Sequence, residues 1–124
     1  MARWVEVRNR TQGRHVLTAR WCSSFLCRLR GLTFRRSMPA GRGLLLVEAQ
    51  PGRAQTAIHM WMVFMPLGVI WLDEAFRVVD TRLARPWRVY FPSASAKYVL
   101  EGEPGVLECV ARGDVLETVD ARLG

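Results

Sequence analysis

Lysine is almost absent from this sequence: of its 18 basic residues only Lys97 is not arginine. No apolar run reaches the ~20 residues that a membrane-spanning helix needs. The stretch Met1-Ala-Arg-Trp-Val-Glu-Val7 puts a charge where a secretory leader needs an unbroken apolar segment, so neither leader nor anchor is expected. Cysteine is scarce. Cys22, Cys27 and Cys109 are an odd number, which fits free thiols in a reducing compartment better than a disulfide framework. The expected location is therefore cytoplasmic. There is no Cys-x-x-Cys pair, no His-x-x-x-His, no Gly-x-x-x-x-Gly-Lys, no nucleophile elbow and no dinucleotide fingerprint. These absences exclude the common zinc, P-loop, hydrolase and dinucleotide motifs. No metal and no cofactor is expected, and an enzyme would need a constellation that the linear sequence does not display.

What is present is a core. Half of the 124 residues are apolar, with five Trp and five Phe, a composition that disordered chains do not have. The length is short for two domains and predicts one, over residues 1–124. The net charge of +7 is unevenly placed: residues 1–53 hold eleven Arg against Glu6 and Glu48, net +9, and residues 54–124 hold seven basic groups against nine acids, net −2. A basic N-terminal half attracts phosphate backbones and other anions through its summed field. Arginine richness also arises from genomic base composition, with no polyanion involved.

Trp4-Val-Glu-Val-Arg8 alternates apolar and polar residues, Asn9 to Gly13 supply turn residues, and His15-Val-Leu-Thr-Ala19 resumes strand composition, which predicts a hairpin. From Trp21 the period changes. Trp21, Cys22, Phe25, Leu26, Leu29 and Leu32 fall within an arc of about 140° on a helical wheel, so a helix of two to three turns is expected, capped by Ser23 or Ser24 and ended at Gly31. On such a helix Cys22 and Cys27 lie about 140° apart and cannot bridge each other, leaving Cys27 as the exposed thiol.

Leu44-Leu-Leu-Val47 suits a strand buried on both faces. The apolar stretch Ile58 to Leu72 is interrupted by Pro66 and Gly68, which predicts an irregular entry followed by a central strand at Val69-Ile-Trp-Leu72. Asp73 to Phe76 read as a turn, with Asp73 accepting backbone amides, and Arg77 to Leu83 as the returning strand. Pro86 and Pro92 bracket an irregular segment, Lys97 to Glu101 is a strand, Gly105 to Arg112 contain one or two helical turns, and Asp114 to Val119 is the last strand. The expected fold class is α+β, mainly antiparallel, as a partly closed barrel or strongly curved sheet with one or two short helices.

Two long motifs, Arg30-Gly-Leu-Thr-Phe-Arg35 and Ile58-His-Met-Trp-Met-Val-Phe-Met-Pro-Leu-Gly-Val-Ile-Trp-Leu-Asp73, together with Arg85-Pro-Trp87, Tyr98-Val-Leu-Glu101, Pro104-Gly105 and Gly113-Asp114, resemble the bacterial and archaeal family called domain of unknown function 192. The resemblance covers about residues 15–118. It implies a compact β-rich fold with a short helix and carries no biochemical activity with it. Thr33 stands where members often have Met, Gly68 where an Asp commonly follows Pro-Ile or Pro-Leu, and Val63 where a Met is common.

Several residues are candidates for a site. His59, between Ile58 and Met60, reads either as a general base or as a buried, hydrogen-bonded core histidine, and burial is the expectation. Arg30 and Arg35 flank the predicted helix end, where guanidinium forks hold a carboxylate or phosphate, or else simply tie the turn. The run Met60 to Met65, with Trp61 and Met62, lines an apolar pocket or packs as core. The first reading is a non-enzymatic module binding a small molecule or a protein partner through His59, Arg30, Arg35, Trp61 and Met62. An alternative is nucleic-acid association through Arg28, Arg30, Arg36 and Arg42, with Trp4, Trp21 and Phe25 nearby. A third is a small hydrolase or isomerase with His59 as base. A monomer or weak homodimer without membrane contact is expected.

Overall fold

The structure is a computed structural model that describes residues 3–24, 27, 28, 39–60 and 62–121. Its elements are the strands β1 (Trp4–Asn9), β2 (Arg14–Cys22), β3 (Arg42–Gly52), β4 (Ile58–His59), β5 (Leu67–Leu72), β6 (Val78–Ala84), β7 (Val89–Tyr90) and β8 (Ala96–Gly102), the 3₁₀ helix η1 (Pro104–Cys109), and β9 (Leu116–Asp120). Strand is the dominant structure, as the alternation in the sequence predicts.

Seven strands form one mixed sheet in the order β6-β5-β8-β3-β2-β1-β9, and β4 pairs with β7 in a separate two-stranded ribbon. Every pair is antiparallel except β2 with β3. The parallel pair needs a long crossover, because its two strands must start from the same end. Residues 23–41 supply that crossover.

The two edges of the sheet meet at one end. Arg77 bridges Val115; the Val78 amide donates to the Asp114 carbonyl at 2.8 Å, and the Leu116 amide donates to the Phe76 carbonyl at 2.8 Å. The sheet is thus curled until β6 touches the entrance of β9, which partly closes the barrel. Inside the curl lies a core drawn from both edges and the centre, including Val5, Leu17, Leu45, Ile70, Leu100, Val106 and Leu116. Helix η1 plugs this core from one side, and Gly68 makes the close approach possible. A Cβ at Gly68 would stand 2.6 Å from Val106 Cγ1 and 3.0 Å from the Glu103 carbonyl, closer than a side chain tolerates.

The opposite face of β3, β5 and β8 carries a second core of Leu44, Leu46, Leu67, Val69, Trp71 and Val99, covered by Ile58, Met60, Val63 and Met65. With apolar residues on both faces, β5 is buried at all six positions, and the interruption at Pro66 stands just before it. Trp71 closes the arrangement by donating its indole N–H to the Thr56 carbonyl at 2.7 Å. Asp73 starts the turn as expected, its Oδ1 accepting the amides of Ala75 and Arg77 at 2.9 Å each.

Two expectations require correction. Trp21 and Cys22, counted on the helical wheel, instead end β2, and helical structure is described at Cys27 and Arg28, with the Arg28 amide donating to the Ser24 carbonyl at 3.0 Å. Ser24 does act as the cap, its Oγ accepting the Cys27 amide at 3.1 Å. Leu29 to Leu32 lie outside the described residues. Because Cys22 is in a strand, the wheel argument that separated it from Cys27 does not apply. The chain turns at Ser23 and Ser24, the two Cα atoms come within 5.6 Å, and Cys22 and Cys27 form a disulfide. The free thiol is Cys109, half-buried in η1. No helix among the described residues is long and apolar enough to cross a membrane.

Candidate functional site

The segment that covers the outer core also builds a surface. Ile58 pairs with Tyr90 and His59 with Val89 across the β4–β7 ribbon. Met60 locks the end of this ribbon: its amide donates to the Arg88 carbonyl at 2.6 Å, and its carbonyl accepts the Trp87 amide at 2.7 Å. The Arg85 amide donates to the Tyr90 hydroxyl at 3.0 Å, closing the loop that carries Pro86 and Trp87.

Extended chain alternates its side chains, so burying Ile58 and Met60 turns His59 outward. His59 is exposed and its imidazole has no hydrogen-bond partner among the described residues, which corrects the expectation of a buried, bonded histidine. The apolar neighbours that suggested burial are the reason for its exposure.

Around His59 the ribbon displays large apolar groups to solvent. Trp87 is 54% exposed, and Val89 and Phe91 are 50% exposed; Met62 and Phe64 are also exposed. Phe64 meets Trp87 edge to face with ring centroids 6.0 Å apart. Met62 and Trp87 both take left-handed backbone conformations, with φ of 60° and 70°. Non-glycine residues rarely do so, and the hydrogen bonds of Met60 hold both in place at a cost of about 1–3 kcal/mol each. Arg85 and Arg88 are exposed on either side of Trp87 in the chain, Arg82 is exposed on the same face of β6 as the buried Ala84, and Arg53 Nε donates to the Pro92 carbonyl at 2.8 Å next to Phe91.

A second feature lies outside the candidates that the sequence pattern singles out. Glu101 pairs with Leu44 on one side and Val69 on the other and is 4% exposed, and its carboxyl has no hydrogen-bond partner among the described residues. Burial pushes its carboxyl up to about 7. Its strand position within a Leu-rich sheet was the available signal, because an acid in an apolar strand is rarely fully buried.

The remaining candidates divide as follows. Arg28 is engaged by the fold, donating to the carbonyls of Ser23 and Val47 at 3.1 and 3.0 Å and lying 3.7 Å from Glu48. Arg42 lies over the Trp4 ring, 5.2 Å from its centroid. Both are partly buried, so neither stands free on a basic surface. Met62 joins His59 on the ribbon surface. Arg30, Arg35, Arg36, Phe25 and Trp61 lie outside the described residues. Among the described residues no group of three or more His, Cys, Asp or Glu side chains is placed to hold a metal ion.

Known proteins share both sequence and fold with this chain. A UPF0127 protein of Thermococcus gammatolerans is 38% identical over 114 residues, covering 87% of this chain and 71% of the relative. One from Thermococcus kodakarensis is 37% identical over 95 residues, covering 75% of this chain and 59% of the relative. The crystal structure of a proposed transcription regulator from Sinorhizobium meliloti 1021 superposes with a TM-score of 0.81 at 22% identity, covering 95% of this chain and 94% of the other. The DUF192 family model, described as Uncharacterized ACR, matches residues 6–118, nearly the whole sheet, and the chain belongs to that family.

Proposed function

We propose that this protein is a binding module whose contact surface is the outward face of the β4–β7 ribbon and the residues around it. The observation that carries this reading is the group Met62, Phe64, Trp87, Val89 and Phe91, exposed together around a ribbon with two left-handed non-glycine residues. Exposed apolar groups scattered singly are ordinary, whereas a contiguous set rimmed by charge marks an interaction surface. The rim here is basic, through Arg85 and Arg88. The ligand class that fits is flat and aromatic, with negative charge.

The test uses 8-anilinonaphthalene-1-sulfonate, an anionic aromatic probe, with the folded full chain. Saturable binding that is lost in Trp87→Ala and Phe91→Ala, and kept in Val119→Ala on β9, supports the reading. Equal binding by all four proteins overturns it.

Acid–base catalysis through His59 has less behind it: the side chain is exposed and no described residue orients it, so it lacks the fixed geometry that a general base needs.

A further inference from the structure

We infer that the occupant of the ribbon face is single-stranded nucleic acid, held by base stacking on Trp87 and Phe91 and by phosphate contacts to Arg82, Arg85 and Arg88. This rests on the reading of the ribbon as the contact surface.

Between Asp80 and Glu101 the chain has no acid and four basic residues, Arg82, Arg85, Arg88 and Lys97. Dividing the sequence into halves conceals this stretch inside a region of net −2. Arg82, Arg85 and Arg88 are exposed, and none of their guanidinium groups has a hydrogen-bond or ion-pair partner among the described residues. By contrast, Arg3, Arg8, Arg28 and Arg112 each lie within 4 Å of a carboxylate. The ribbon arginines are therefore available to phosphate oxygens without breaking an existing pair.

Trp87 and Phe91 stand two residues before and two residues after the half-exposed Val89 in the chain, with His59 opposite Val89 across the ribbon. Aromatic rings displayed beside unpaired arginines provide the two contacts that sequence-tolerant single-strand binders use, because every base has a flat face and every linkage a charge. Duplex recognition uses an element inserted into a groove to read base edges, and a two-residue ribbon with its rings outward offers none. A protein partner would find the same rings attractive, but it gains nothing from a segment without acids and with several unpaired arginines unless it is itself strongly acidic.

The test is fluorescence anisotropy of labelled dT15 and rU15 with the full-length chain, at 50 and 200 mM salt, beside a duplex of equal length. With three phosphates neutralised, affinity for the single strands falls about 15–20-fold between the two salt concentrations. Trp87→Ala weakens binding at least fivefold at either salt. Arg85→Gln with Arg88→Gln weakens binding and flattens the salt dependence, and circular-dichroism melts verify that each variant is folded. Binding that ignores Trp87→Ala and Phe91→Ala in folded variants overturns the inference, because attraction is then general charge. Tighter binding to the duplex overturns it as well. If the oligonucleotides fail to bind while the anilinonaphthalene probe still reports Trp87, the nucleic-acid assignment falls and the binding face stands. If both fail, both fall.

Discussion

Asn9 Nδ2 donates to Asp114 Oδ2 at 2.8 Å in a buried hydrogen bond between residues 105 positions apart. Asn9 ends β1 and Asp114 precedes β9, so this contact sets one end of the sheet where its edges close. The same Oδ2 accepts Gln12 Nε2 at 2.7 Å and the Ala111 amide at 2.9 Å. The Asn9 hydrogen bond, helped by those from Ala111 and Gln12, holds the Asp114 carboxyl below its ordinary value against the opposing effect of burial. Asp114→Ala is expected to destabilise by about 2–3 kcal/mol, since Asn9 is left buried without this acceptor. The folded-state pKa lies below the unfolded value, so the contribution is present above pH ~4 and is lost as pH falls through the folded pKa. Urea unfolding of parent and variant from pH 7 down to pH 3 measures both, and the gap between them should close toward the acid end.

Glu101 works in the opposite direction. Burial raises its pKa in the folded state to about 7, well above the ordinary carboxyl value of 4.5, so the folded protein holds a proton that the unfolded chain releases. Its contribution is fully favourable below pH 4.5, falls as pH rises toward 7, and levels off above that. The loss amounts to roughly 3 kcal/mol. Glu101→Gln should remove this fall, and denaturant midpoints at pH 5 and pH 8 compare the two proteins directly.

The disulfide predicts thiol chemistry unlike that of three free cysteines. In denaturant without reductant, iodoacetamide should modify Cys109 alone; after reduction it should modify all three. Intact mass spectrometry counts the adducts. Three adducts without reductant would show that Cys22 and Cys27 are not bridged.

His59→Ala should change stability by less than about 0.5 kcal/mol, because the side chain is exposed and no described residue depends on it. Met60→Ala, one residue on, should cost about 2–5 kcal/mol through the cavity it leaves in a fully buried position. Thermal melts of the two variants separate a displayed residue from the one that anchors the ribbon.

Local pattern determined much of this molecule. The hairpin of β1 and β2 follows from alternation around Asn9 to Gly13, β5 from an apolar run behind Pro66, and the turn at Asp73 from a side chain that bonds its own backbone. The cap at Ser24 was legible for the same reason, since each of these depends on residues within a few positions of one another. Long-range pairing decided the rest. His59 faces solvent because Ile58 pairs with Tyr90 and Met60 is buried; the sequence alone shows only that all its neighbours are apolar. Cys22 reaches Cys27 because β2 extends through Cys22 to pair in parallel with β3, and residue periodicity does not reveal where a strand yields to a helix. Glu101 is buried because Leu44 and Val69 lie on either side of it, and Val89 comes to face His59 because β7 returns beside β4. A side chain's burial and charge environment are properties of its neighbours in space, and in a sheet most of those come from distant parts of the chain.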